Sequence, residues 1–156
     1  MNKDQVLSIG IPASLKSEHE ELHEKLKKYT KLPGKTGAAA KEVARLLHPH
    51  FIKEEKYAMP PLGLLADLAR DETAIDMADK KEAIAMSEKL QEDFAEMLAE
   101  HEEIVKALQE LHQAAKAENH PEVMRFTEAL KLHAKTEEEV LYPAAILVGL
   151  YLKQRL

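Results

Sequence analysis

Apolar residues recur every three or four positions in four long stretches of this chain, and each stretch ends at a breaker. Leu15, Leu22 and Leu26 fall on one face of a first predicted helix, from about residue 12 to residue 31. Pro12 suits a first helical turn, and "LPGKTG" ends the segment. A second helix is predicted from near Thr36–Ala38 to just before Pro60 and Pro61, with Val43 and Leu47 on its inner face. Pro49 inside it should bend it or remove one backbone bond. Residues 62–79 read as a mixed connection with short helical pieces. A third helix, from about Lys80 to Ala117 with room for one break, presents Leu90, Phe94, Met97, Ile104 and Leu108. "ENHP" closes it. The fourth starts at Pro121 with Asn119 or His120 as cap, presents Phe126, Leu130 and Val140, and runs to about Tyr142. There Pro143 opens an apolar tail, "AAILVGLYLKQRL".

The two halves repeat. "EHEEL" in the first helix matches "EHEEI" in the third, with His19 and His101 separated by 82 positions. "HFIKEEKYAMP" in the second matches "HAKTEEEVLYP" in the fourth, with His50 and His133 separated by 83. A duplicated helical hairpin predicts an all-α fold, an up-down-up-down four-helix bundle in one domain over residues 1–156. An N-terminal arm would precede it and an apolar helical extension would follow.

Composition agrees and removes other functions. Gly and Pro are sparse, Trp is absent and aromatics are 4%, which favours helices over a sheet. The net charge of −6 leaves no basic footprint, so nucleic acid is not an expected partner. With no cysteine there is no disulfide, thiolate metal site or Cys nucleophile. The first residues hold too short an apolar run for a secretory signal, and no stretch reaches the ~20 apolar residues that span a bilayer. A cytoplasmic protein without membrane contact is the expectation.

Polar groups interrupt the apolar stripes at matching places. His19 falls among Leu15, Leu22 and Leu26, and His101 among Met97, Ile104 and Leu108. His50 with Glu54, and His133 with Glu137, lie four residues apart on the inner faces of the second and fourth helices. The heights agree as well. Helical rise puts His19 roughly 18 Å and His50 roughly 21 Å from the first turn, and His101 roughly 24 Å and His133 roughly 18 Å from the second. Carboxylates in a core need a cation or a strong donor, so these six metal-capable residues predict one joint buried site rather than separately satisfied core histidines.

The order His, HxxxE, His, HxxxE over about residues 12–143 resembles the hemerythrin-like, or HHE cation-binding, family. The resemblance implies a centre of two non-haem iron ions, oxo- or hydroxo-bridged, inside the bundle. His19, His50, His101 and His133 would be terminal ligands, and Glu54 and Glu137 would bridge. Imidazole and carboxylate donors suit iron better than magnesium or calcium. Oxygen-carrying members have a second histidine in the third helix, where this chain has Val105. His23, one turn after His19, is the residue that could supply a fifth nitrogen, or else lie on the rim. A ferritin-like site would need two ExxH motifs, and only Glu20–His23 offers one.

The remaining candidates read as support or surface. His48 points away from the core, His120 is a cap or surface group, and His112 lies about 16 Å along the helix from His101. Tyr57 shares the stripe of His50, either as packing or beside the ligands. Glu18, Glu20, Glu100 and Glu102 fall on the solvated face.

The implied function is binding of O₂ or a related small ligand, NO or peroxide, as carrier, store or sensor. A di-iron enzyme consuming peroxide or NO, or a metal-dependent interaction module, is the alternative, so enzymatic activity is not assigned. The stretches after Pro60 and Pro143 should leave the bundle at one end and pack on each other or on a second chain, giving a monomer or a homodimer through the apolar tail.

Overall fold

The computed structural model describes residues 9–156, and the N-terminal arm as far as residue 8 lies outside the described residues. Four long helices dominate: α1 (Ala13–Tyr29), α2 (Gly34–Lys53), α4 (Met77–Ala117) and α5 (Pro121–Thr136). Between α2 and α4 come a 3₁₀ turn (Pro60–Leu64), the short α3 (Leu65–Arg70) and a second 3₁₀ turn (Glu72–Ala74). There is no strand among the described residues. No helix among them is long and apolar enough to cross a membrane.

Several ends differ from the sequence expectation for local reasons. The second helix starts earlier, at Gly34, because the Glu118 carboxylate at the end of α4 accepts from the Lys35 and Thr36 amides at 3.0 and 2.8 Å. Such a carboxylate satisfies orphan donors and complements the helix dipole. The third helix is unbroken over 41 residues and starts at Met77, with the Asp76 side chain accepting from the Asp79 amide at 2.9 Å. Asn119, at φ 61°, takes the left-handed position that ends α4, and Pro121 opens α5. The second helix runs through Pro49, which faces solvent.

The largest departure lies in the turns that follow the HxxxE motifs. Both α2 and α5 run directly into one π-helical turn, Glu54–Ala58 and Glu137–Leu141. The Glu54 carbonyl accepts from the Met59 amide at 2.8 Å, and the Glu137 carbonyl accepts from the Tyr142 amide. An i→i+5 bond inserts one residue and rotates everything beyond it by about 100°. Val140 was expected on the inner face, yet it is 54% exposed, and Tyr142 is 1% exposed in its place. The chain does not stop at Tyr142. It continues as α6 (Tyr142–Gln154), with Pro143 immediately after the π turn.

Helix α4 is long enough to serve two partners. Its second half packs on α5, where His112 Nδ1 meets Thr127 Oγ1 at 2.9 Å, and its first half packs on α6, where Ser87 donates to the Ala145 carbonyl at 2.7 Å. The two apolar stretches do meet: Leu64 shares a cluster with Ile84, Val148 and Leu152. Ile9 joins it, and Gly63 lets the Gly10 carbonyl approach where a Cβ would stand only 1.8 Å away. A larger cluster around Leu26, Val43, Leu108 and Phe126 fills the other end, and a third holds Tyr57, Leu90, Met97 and Tyr142. The predicted polar residues fall between the Leu26–Phe126 layer and the Tyr57–Tyr142 layer, as His101 does on α4 between Met97 and Ile104.

Candidate metal centre

Four histidines and two glutamates meet between those apolar layers, and all six are buried. Their ligand atoms form two overlapping groups, His50, Glu54, His101 and Glu137 in one and His19, His133 and Glu137 in the other. His19 Nε2 stands 3.6 Å from Glu54 Oε1 and 3.5 Å from Glu137 Oε2, and His133 Nε2 stands 3.0 Å from the same Oε2. On the other side His50 Nε2 stands 3.4 Å from Glu54 Oε2, and His101 Nε2 stands 3.1 Å from Glu137 Oε1. Each carboxylate therefore turns one oxygen to the His19–His133 pair and the other to the His50–His101 pair.

These donors fit a cation. Metal–nitrogen bonds of ~2.1 Å put neighbouring ligand atoms roughly 3 Å apart at right angles, close to the separations found here. His19 Nε2 and Glu54 Oε1 are buried and have no hydrogen-bond partner. A buried carboxylate oxygen with no donor is strongly unfavourable, and a cation shared with the neighbouring nitrogens removes that cost.

A second ring of carboxylates holds the histidines from outside. Glu100 Oε1 meets His50 Nδ1 at 2.7 Å, Glu138 Oε2 meets His101 Nδ1 at 2.7 Å, and Glu18 Oε1 meets His133 Nδ1 at 2.5 Å. His19 is the exception: Glu55 Oε2, at 3.6 Å, is too far for a hydrogen bond to its Nδ1, and its ring instead stacks on Phe51 at 4.2 Å. An Nδ1–H given to a carboxylate orients the ring, so that Nε2 offers its lone pair inward once a cation displaces the proton there. Glu18 and Glu100 are thus not simply part of a solvated face. The repeat carries the signal: each precedes the histidine of an "EHEE" motif, while Glu55 and Glu138 follow the inner glutamates at equivalent places.

The electrostatics are those of a site built for positive charge. Burial lowers His50 and His133, but the surrounding glutamates outweigh it and lift both to about 9. His19 and His101 move upward for the same reason. Burial, with the Glu137 charge beside it, raises Glu54 to about 7. Burial alone would raise Glu137 too, yet His101, His133 and His19 around it hold it well below the usual range.

Tyr142 is a member of the cluster that the helical spacing did not predict. Its hydroxyl donates to Glu54 Oε2 at 2.5 Å and stands 3.2 Å from both His50 Nε2 and His101 Nε2. The π turn places it there by stacking residue 142 over Glu137. Tyr57 takes the other role open to it, donating to Asp93 Oδ2 at 2.8 Å beside Met97. The structure does not bring His23 into either ligand group. It is exposed on α1, with its ring 6.3 Å from that of His48 on α2.

No curated protein and no solved structure matches the chain. The sequence model of the hemerythrin HHE cation binding domain matches residues 10–145, a span that holds all four histidines and both inner glutamates. The chain belongs to the hemerythrin HHE cation-binding family.

Proposed function

We propose that this chain, as one domain over residues 1–156 with its long helices running up-down-up-down, is a non-haem di-iron protein that binds O₂ or a related small ligand. His19 and His133 would hold one iron and His50 and His101 the other, with Glu54 and Glu137 shared between the two pairs. The observation that carries this is the division of the carboxylate oxygens, one of each glutamate facing each histidine pair. Imidazole and carboxylate donors without thiolate support iron.

A bound iron pair would supply redox-active metal with room for an external ligand, and the protein supplies the dry, histidine-rich setting. Access is narrow. A cleft of about 280 Å³ between α1 and α2 reaches His19 past Phe51, and one of about 330 Å³ between α1 and α5 reaches His133. Both clefts lie against the same histidine pair. Reversible binding, as in a carrier, store or sensor, is the reading that histidine-rich ligation favours.

Exposure of the reduced, iron-loaded protein to O₂ tests it. Near-ultraviolet and visible charge-transfer bands should appear and then fade on deaeration. Catalytic loss of added peroxide or NO over many turnovers per chain would replace binding with an enzymatic role.

A further inference from the structure

We infer that Tyr142, as its phenolate, is a ligand of the cation held by His50 and His101, an assignment that rests on the di-iron reading above. Its hydroxyl oxygen lies within 3.2 Å of two imidazole nitrogens and 2.5 Å of a carboxylate oxygen, three atoms assigned to the same cation. Four donor atoms converging at about 3 Å are neighbouring corners of one coordination shell.

Hydrogen bonds hold that convergence in the metal-free chain, and a cation uses the same atoms. Glu100 and Glu138 occupy the Nδ1 edges of His50 and His101, so both Nε2 atoms face the phenol oxygen. The phenol has one proton, and Glu54 Oε2 receives it. In the metal-free chain the surrounding glutamates favour the protonated imidazoles, whose Nε2–H groups donate to the phenol oxygen. A cation that displaces the imidazole and phenol protons finds four donor atoms already converged. The phenolic O–H bond breaks, an oxygen–metal bond forms, and the proton is released to solvent without electron transfer.

The ring is also held for this purpose. It stacks on His101 at 5.6 Å and meets Phe94 edge-on at 6.2 Å, and its backbone is fixed by the π turn. The chain has no histidine at position 105, one turn beyond His101, and Tyr142 supplies a further donor on that side of the cluster. The assignment makes the two metals unequal. Met59 occupies the place of Tyr142 in the other half of the repeat, nine residues after its histidine and at the end of its own π turn. A thioether is a weak donor and cannot become an anion there.

Resonance Raman spectra and iron counts of the air-oxidised, iron-loaded full chain test the assignment, with Tyr142→Phe and Tyr57→Phe beside it. Wild type and Tyr57→Phe should show a visible phenolate-to-iron(III) band whose excitation enhances tyrosinate ring vibrations. Tyr142→Phe should lose both. The wild-type spectrum decides even if Tyr142→Phe folds poorly. Two irons per chain without enhanced ring vibrations would overturn the tyrosine ligand and leave the di-iron reading standing. Failure of the wild type to hold two irons would overturn both.

Discussion

Glu138 Oε2 stands 2.7 Å from Nδ1 of His101, on the edge of the ring turned away from the cluster, while Glu137 Oε1 stands 3.1 Å from Nε2 on the inner edge. Adjacent residues of one turn thus hold opposite sides of one imidazole. Removing such outer partners typically weakens metal binding ~10–100-fold. Glu138→Gln and Glu100→Gln should each do so in a chelator competition, without changing how many irons bind. Glu102→Gln, on an exposed position of the same helix, should leave affinity unaltered.

The pH dependence has a definite sign. His50 and His133 rise from 6.5 to about 9 in the folded, metal-free chain, so folding retains protons that the unfolded chain releases. That stability is complete below pH 6.5 and is lost as the pH passes through about 9. Glu54, raised to about 7, acts in the same direction, and Glu137, held low, loses its contribution only in acid. The thermal midpoint of metal-free protein should therefore fall between pH 6.5 and about 9. Iron affinity should rise over the same interval, because binding must expel those protons. A flat midpoint across the interval would contradict the assigned pairings.

Gly149 fixes how closely α6 approaches α4. A Cβ added there would stand 2.3 Å from Ser87 Cβ. Alanine normally favours a helix over glycine by roughly 1 kcal/mol. Overpacking of this kind costs about 1–3 kcal/mol and should prevail. Gly149→Ala should lower stability in urea unfolding, and adding Ser87→Gly should recover part of the loss. Iron content should not change in either.

Much of this was legible in the sequence because two signals reinforced each other. The 3.6-residue period gave the long helices, and the repeat put His19, His50, His101 and His133 at one height. Tyr142 was not legible. A constant period puts it away from Glu137, and nothing in "EEEVLYP" announces a π turn. The same extra residue explains the exposure of Val140. Glu18 and Glu100 were hidden for another reason: each looks solvated on its own helix and meets its histidine only across the bundle. The repeat marked them, but only packing of one helix on another gives the mark its meaning.

His23 shows the reverse limit. One turn after His19, it shares the general direction of the ligand stripe, yet the structure leaves it at the surface beside His48. His23→Ala should keep the iron content of the parent protein, whereas His19→Ala should lose at least one iron. Loss of an iron from His23→Ala would restore it as a fifth nitrogen ligand.

The claim that Glu54 and Glu137 divide their oxygens between two metals is tested most directly by anaerobic titration of the metal-free chain with ferrous iron. The binding curve should break at two irons per chain. A break at one would contradict the shared-carboxylate centre and leave a single-metal site in its place.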